Sequence, residues 1–356
     1  MDTPESGRTL AKVSSIFHTF AERECREVSP LYYALAKSVA EELYLLELAA
    51  HARAQQPIPN LFFGVIHYLL LRKPDQELAA FYPSISRRRE GTIPISLFLR
   101  FCKKYETDIL ELLQSRIVQT NAINRTAYLM PIASSRFAGG DALTLIDIGC
   151  SSGLVMNFDR YSYQYSEQVC MGDSPVLVHS DLRSSRLPDF AEIIKVKQKI
   201  GIDQHPLDIR DPDNARWLKA LIWPDMTARF ERLTAAIALA QQAKDFQLIQ
   251  GSSRFDFEAV IKGVPIHAPL LVYHTHVLYQ FNVAERLAFR QLLDAIGQDR
   301  NFLYLAAEHS RIYDDTISLP TGIQLVLTTY HEGVKTVEHL GETNGHANWI
   351  RWFNSQ

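Results

Sequence analysis

The clearest chemical implication comes from three small residues at every second position, Gly149, Ser151 and Gly153. They follow an apolar run, 143–148, that contains one acidic residue, Asp147. The run predicts a buried parallel strand, and the small residues predict a tight turn into a helix. Such a turn lets the backbone approach a ligand closely, because a Cβ would block the approach. We therefore expect a nucleotide-like cofactor at the carboxyl end of this strand.

The turn Gly149-Cys150-Ser151-Ser152-Gly153 permits three interpretations. It resembles motif I of S-adenosyl-L-methionine-dependent methyltransferases, acidic-x-Gly-x-Gly-x-Gly, with Ser151 in place of the central glycine. It also matches Gly-x-Ser-x-Gly, the nucleophile elbow of α/β-fold serine hydrolases, with Ser151 as nucleophile. The third interpretation is a strand-to-helix turn without a ligand. A hydrolase elbow follows several strands, whereas no strand is predicted upstream, so the position favours the methyltransferase interpretation.

The elements before this turn predict an all-helical N-terminal region, residues 1–138. The first predicted helix follows the cap Ser29 and has Pro30 at its first position. A second helix is predicted over 61–71 after a cap at Asn60, and a third over 96–116. A shorter fourth helix is predicted to end at Met130, before Pro131. The helix at 61–71 is apolar on all sides, which indicates burial. We expect this region to cover the site and exclude water.

Residues 139–356 predict an α/β domain, because short β-rich runs alternate with helical stretches. The predicted strands are 143–148, 176–180, 193–202, 246–250, 269–274, 301–307, 323–330 and 334–340, and the predicted helices are 153–160, 212–221, 225–243, 255–262 and 283–297. Tyr330-His331-Glu332-Gly333 predicts a hairpin turn between the last two strands. A mostly parallel sheet with an antiparallel C-terminal hairpin is the Rossmann-like arrangement of class I methyltransferases. An insertion at about 160–192 separates the first two sheet strands, and the alternation from Arg160 to Tyr165 predicts a β-hairpin within it.

Other candidate cofactor residues follow from this resemblance. Asp147 would orient the turn and the charged amino-acid end of S-adenosyl-L-methionine. Asp203 ends the second strand, where an acidic residue accepts hydrogen bonds from ribose hydroxyls. The alternative for Asp203 is a turn-forming aspartate. Ser252 follows the third strand at a position that often contacts the adenine amino group and is often acidic.

The exit of the fourth strand carries two histidines, His274 and His276, which would face the transferred methyl group. An imidazole that titrates near neutral pH can deprotonate a nucleophile. The alternative is that one of them packs on the sheet and caps a loop. Gln119 and Asn121 are candidates for polar groups presented to the substrate. No third ligand has convincing metal-site spacing, so no metal is expected.

Bulk composition narrows the choice of partners. The 356 residues carry a net charge of −3, which gives no global basic field for nucleic acid. The four scattered cysteines fit a reducing cytoplasm, and the polar N-terminus is unlike a signal peptide. The longest apolar run is too short to span a membrane. The expected partner is a small-molecule substrate, and the sequence does not fix the oligomeric state.

Several longer stretches resemble an uncharacterised bacterial family, a domain of unknown function. The stretches are Gln56 to Phe62, His67 to Leu70, Ala80 to Ser84, Arg116, Gln119 to Asn121, Arg160-Tyr161, Gly201 to Asp203, Pro206, Asp208, and Arg216 to Pro224. The resemblance covers nearly the whole chain and implies one integrated unit. It adds no activity. The leading function is therefore a small-molecule methyltransferase, with a serine hydrolase or a non-catalytic cofactor-binding scaffold as alternatives.

Overall fold

A computed structural model describes residues 9–86, 91–119, 121–167, 169–184, 192–243, 245–251, 256–313 and 322–353. The chain divides into two units: residues 1–120 with 209–234, and residues 121–208 with 235–356. We call them the helical unit and the sheet unit. The division differs from the predicted boundary at 138, because residues 121–138 belong with the sheet and residues 209–234 with the helices.

The α-helices of the described residues are α1 (Leu10–Phe20), α2 (Pro30–Glu41), α3 (Leu43–Ala50), α4 (Ile58–Arg72), α5 (Ile95–Lys104), α6 (Glu106–Ser115), α7 (Thr126–Phe137), α8 (Pro212–Ala220), α9 (Thr227–Gln241), α10 (Phe257–Gly263) and α11 (Val283–Asp299). None of these helices combines the length and the apolar character needed to cross a membrane.

In the helical unit, the predicted cap at Ser29 is confirmed, since its side chain accepts a hydrogen bond from the Tyr32 backbone N–H. The predicted burial of α4 is also confirmed. Gly64 of α4 faces Trp217 and Leu221, and a Cβ at this position would lie 3.2 Å from the Leu221 side chain. This close packing explains why the segment after residue 209 joins the helices.

Three predicted helix boundaries are wrong. Asn60 does not cap α4, because Pro59 fits the first turn and the helix already begins at Ile58. The predicted helix 96–116 is two helices that break at Tyr105. Pro131 does not stop α7, since nine successive residues from Thr126 are buried and their packing outweighs the cost of an interior proline.

The sheet unit contains eleven described strands. They are β1 (Leu143–Ile148), β2 (Ser162–Tyr165), β3 (Val169–Met171), β4 (Leu177–Leu182), β5 (Val196–Asp203), β6 (Phe246–Gln250), β7 (Leu270–Thr275), β8 (Phe302–His309), β9 (Ile323–His331), β10 (Val334–Thr343) and β11 (Trp349–Trp352). Their order in the sheet is β3-β2-β4-β11-β10-β9-β8-β7-β1-β5-β6. The protein is therefore a mixed α/β protein with a mostly parallel sheet.

Five parallel strands, β6-β5-β1-β7-β8, form the part of the sheet that matters for the site. The chain adds β5 and β6 on one side of β1 and then adds β7 and β8 on the other side. The gap between β1 and β7 is therefore a topological switch point, where open α/β sheets bind ligands at the strands' carboxyl ends. In register, Asp147 of β1 lies between Gly201 of β5 and Tyr273 of β7.

Alternate residues of these strands face opposite sides of the sheet. Ile146, Ile148, Ile200 and Ile202 pack in one apolar cluster with Phe257 of α10 and Phe289 of α11. Asp147 lies between Ile146 and Ile148 along the strand, so its side chain points to the other face. The predicted helix at 153–160 is instead a 3-10 helix, Leu154–Arg160.

The remaining strands extend the sheet beyond β8. The predicted hairpin between β9 and β10 is confirmed, and its two-residue loop has left-handed residues at Glu332 and Gly333, with φ of +51° and +75°. The predicted insertion supplies β2, β3 and β4. The hairpin expected near Tyr165 pairs β2 antiparallel with β3, and β4 joins β11 at the far end of the sheet.

Candidate functional site

The turn after β1 places left-handed residues at alternate positions. The angle φ is +74° at Gly149, +52° at Ser151 and +73° at Gly153. Glycine adopts such angles at little cost, whereas serine must be held there by its surroundings. Residues of alternating handedness can turn backbone N–H groups toward one side, which is how backbone nests bind anionic groups. The turn thus has the local shape of a ligand-binding loop.

Asp203 reaches this turn from the end of the neighbouring strand β5. Its Oδ2 accepts a hydrogen bond of 2.8 Å from the Ser151 backbone N–H, and its Oδ1 accepts one of 2.8 Å from the His205 backbone N–H. The side chain is half-buried. Asp203 therefore forms the turn predicted as the alternative, and it does so beside the glycine-rich loop.

Asn121, in the segment before α7, forms two hydrogen bonds with the same turn. Its Nδ2 donates to the Ser151 hydroxyl at 2.9 Å, and its Oδ1 accepts from the Ser152 hydroxyl at 2.6 Å. Both ends of the amide are thus engaged with the protein, so Asn121 orders the turn. Gln119, the companion candidate, lies in the helical unit and is half-buried.

Protein side chains fill the space left by the small residues of the turn. A Cβ at Gly149 would overlap the Val277 side chain, and a Cβ at Gly153 would lie 2.8 Å from Met156 Cε. The Cys150 side chain occupies the corresponding space over Gly201 of β5. Packing and positive φ therefore already require glycine at Gly149, and the close approach of a ligand to this turn stays a prediction.

Asp147 lies on the face of the sheet opposite the apolar cluster. The side chain is only 3% exposed, and burial raises the pKa of its carboxyl well above the usual range. The hydroxyl of Tyr273 and the positive charge of Arg125 lower this pKa, while the charge of Asp203 raises it. A protonated carboxyl can donate a hydrogen bond. The expected contact of Asp147 with the charged amino-acid end of the cofactor stays a prediction.

His274 lies in the core and not on an open surface. Its Nε2 is 2.6 Å from the Tyr304 hydroxyl and its Nδ1 is 3.0 Å from Glu308 Oε1. The same carboxylate oxygen accepts hydrogen bonds from the backbone N–H groups of Val277 and Leu278, at 2.5 and 2.7 Å. Burial alone would raise the pKa of Glu308, but His274 and these N–H groups lower it. His274 thus positions the loop that leaves β7, as in the alternative stated for this histidine pair.

His276 is the histidine that remains available for chemistry. It has a left-handed backbone, with φ of +57°, and its Nε2 is buried without a hydrogen-bond partner among the described residues. Burial, and then the positive charge of Arg125, lower its pKa to about 3. The ring is therefore neutral at physiological pH. This differs from the expectation of an imidazole that titrates near neutral pH.

Arg125 is the functional candidate that the sequence predictions missed. It ends a 3-10 turn, Ile123–Arg125, and is 8% exposed. Its Nε donates to the Gly345 carbonyl at 3.1 Å, and its Nη1 donates to the carbonyl and hydroxyl of Thr275 at 3.1 and 3.2 Å. The signal that could have identified Arg125 is a charged residue inside the largely apolar stretch 122–133.

Two other predictions concern Ser252 and a metal site. Ser252 lies outside the described residues, so its expected adenine contact stays a prediction. Within the described ranges, no three His, Cys, Asp or Glu side chains come together in a way that could hold a metal ion.

The fold and site together define a mixed α/β protein with a polar cluster at the carboxyl ends of β1, β5 and β7. The chain belongs to DUF2332, a family described as an uncharacterized protein conserved in bacteria, which matches residues 14–352. No curated protein matches the chain.

Proposed function

We propose that this protein is a class I S-adenosyl-L-methionine-dependent methyltransferase that acts on a small molecule. The observation that carries the proposal is the position of Asp203. Its carboxylate ends the strand next to β1 and contacts the glycine-rich turn through the Ser151 N–H. This is where a nucleoside-binding sheet needs an acceptor for ribose hydroxyls.

The remaining hydrogen-bonding capacity of Asp203 fits a ribose. Each oxygen of a carboxylate offers about two acceptor positions. Among the described residues, each Asp203 oxygen accepts one backbone N–H, which leaves one position on each oxygen for a hydroxyl group. The order of β6, β5, β1, β7 and β8 gives further support, because it places this acceptor on the strand next to β1, one strand away from the switch point between β1 and β7.

In this proposal, the bound cofactor supplies an activated methyl group, and the protein's own residues align the acceptor. Thr275 and His276 lie at the end of β7, next to the β1 turn. Because the pKa of His276 is about 3, its neutral ring orients a nucleophile and does not remove a proton at neutral pH. Catalysis would then come mainly from proximity and alignment. His274 acts indirectly, since it fixes Glu308 and thereby the loop after β7.

Calorimetric titration of the full chain with S-adenosyl-L-methionine tests the proposal. We expect measurable binding heat and a rise in melting temperature, because a ligand that binds only the folded state must stabilise it. The absence of both at millimolar cofactor would contradict the proposal. Binding without turnover across a broad panel of small acceptors would indicate the non-catalytic scaffold.

One observation favours the hydrolase as a second candidate. Ser151 has φ of +52° within Gly-x-Ser-x-Gly, and a strained turn is what exposes a nucleophile in an elbow. Against this, its hydroxyl is buried and accepts a hydrogen bond from Asn121. A fluorophosphonate should label the wild type and not Ser151→Ala if the hydrolase is correct. A lack of labelling in both would reject it.

A further inference from the structure

Arg125 is a buried cation without a counter-ion among the described residues. All of its hydrogen bonds in this part of the chain go to neutral oxygens of Thr275 and Gly345, and no ion pair includes it. The acids Glu308 and Asp147 favour the charged form of Arg125, but neither forms an ion pair with it among the described residues. Glu308 is engaged by His274 and two backbone N–H groups, and burial favours the protonated form of Asp147. A buried charge without a partner is costly, so such a group is a candidate for binding a ligand of opposite charge.

The guanidinium of Arg125 is also held in place by hydrogen bonds that do not involve its Nη2. Nε and Nη1 both donate hydrogen bonds, whereas Nη2 has none among the described residues. Three separate segments fix the group: the turn before α7, the end of β7 and the loop between β10 and β11. Such preorganisation lowers the entropic cost of binding a ligand.

Arg300 is a second buried arginine of the same unit. Its Nε is also buried without a hydrogen-bond partner among the described residues, but its Nη atoms meet the end of a helix. Arg300 is 6% exposed, and both of its Nη atoms donate to carbonyls, those of Ile261, Val264 and Pro265. Two of these carbonyls belong to the C-terminal end of α10, where the helix dipole is negative and stabilises a positive charge. Arg125 has no comparable helix end among its hydrogen-bond partners.

From this geometry we infer that Arg125 binds the carboxylate of a small-molecule ligand, with His276 Nε2 as a second hydrogen-bonding group at the same place. A carboxylate matches the planar fork of a guanidinium. His276 Nε2 is buried and unpartnered in the described part of the chain, and its neutral ring can carry the proton on that atom and donate it to the carboxylate. The site lies at the switch point between β1 and β7. The carboxylate belongs either to the methyl acceptor or to the amino-acid end of the cofactor, and only this assignment of its source rests on the proposed function.

The test compares carboxylic acids with their own primary amides on the full chain. A panel of small acid and amide pairs is titrated by thermal shift and calorimetry against wild type, Arg125→Gln and Arg300→Gln. We expect some acids to bind wild type about 30-fold or more tightly than their amides, because one partner of a buried charge pair is missing in the amide. Arg125→Gln should lose this preference, whereas Arg300→Gln should keep it even if it melts earlier. No acid preference in wild type, or an unchanged preference in Arg125→Gln, would overturn the inference.

A second measurement separates the two sources of the carboxylate. S-adenosyl-L-methionine and its decarboxylated analogue are titrated against wild type and Arg125→Gln. If Arg125→Gln loses affinity only for the carboxylated form, the cofactor supplies the carboxylate. If Arg125→Gln binds both forms as wild type does but loses the acid preference, the acceptor supplies it. If neither form binds wild type, the methyltransferase proposal fails. The comparison of acids with their amides then decides by itself whether Arg125 binds a carboxylate.

Discussion

Asn121 joins the two serine hydroxyls of the turn after β1 through the two ends of one amide. Asn121→Ala removes both hydrogen bonds from a buried position. We expect the free energy of unfolding to fall by about 1–3 kcal/mol, the cost of leaving buried polar groups without their partner. Denaturant unfolding of the variant measures this loss.

The matched control for Asn121 is Asn282→Ala, which removes the exposed capping box of α11 in the same unit. Loss of such a cap costs about 1 kcal/mol and does not touch the turn. Asn121→Ala should therefore weaken cofactor binding, while Asn282→Ala should leave it unchanged. Equal binding by both variants would show that Asn121 does not hold the turn in its binding form.

Gly149 and Val277 form a pair that tests why the turn needs glycine. Gly149→Ala adds a Cβ that overlaps Val277 at a position with positive φ, so we expect a loss of about 1–3 kcal/mol. In a Val277→Ala background the overlap disappears and only the backbone strain remains. A double-mutant cycle should give a coupling energy of about 0.5–3 kcal/mol. Strict additivity would contradict the packing explanation.

At the scale of elements, α4 contains a buried ionisable group, His67, with both ring nitrogens bonded. Its Nδ1 lies 2.9 Å from the Ala220 carbonyl and its Nε2 lies 2.7 Å from the Ser84 hydroxyl. Burial lowers the pKa of His67 to about 4 from the usual 6.5. The unfolded chain therefore binds a proton between these values and the folded chain does not, so stability is lost as pH falls from 6.5 to 4.

His67→Gln tests this contribution, because the glutamine amide can donate to Ala220 and accept from Ser84 without titrating. The unfolding free energy of wild type should fall by about 1.4 kcal/mol more per pH unit between pH 6 and 4.5 than that of the variant. Between pH 7 and 8 the two curves should run parallel, which serves as the internal control. An identical slope in the acid range would show that the folded state protonates His67 freely.

The elements that could be predicted are those whose signals are local. The apolar run of β1 and the sequence Ile200-Gly201-Ile202-Asp203 at the end of β5 give strands with nearly correct ends. The continuation through Pro131 could not be predicted, because burial of the surrounding residues overrides local preference there. The break at Tyr105 has no glycine or proline near it that could have marked it.

At the scale of the whole molecule, the succession of the central strands along the chain could be predicted. The residues that form hydrogen bonds with the site residues could not. The adjacency of Asp203 to the turn follows from β1 and β5 being neighbours. The burial of His274 depends on Tyr304 and Glu308, about 30 residues further on. Arg125 depends on Thr275 and Gly345, which are 150 and 220 residues away in the sequence. Such contacts leave no periodic signal in the sequence.

The most direct test of the central claim is cofactor affinity in a matched pair of aspartate variants, Asp203→Ala and Asp211→Ala. Each aspartate accepts a backbone N–H two residues further along at 2.8 Å, but only Asp203 belongs to the sheet unit's turn. Both variants should lose some stability, about 0.5–3 kcal/mol, because each loses this hydrogen bond. Asp203→Ala should lose more, because Asp203 also accepts the Ser151 N–H.

Calorimetry with S-adenosyl-L-methionine then separates the two. We predict that Asp203→Ala weakens binding by about 1.5–3 kcal/mol, the range for hydrogen bonds to a charged group, and that Asp211→Ala binds as wild type does. Wild-type affinity in Asp203→Ala, or no binding in any of the three proteins, would contradict the account.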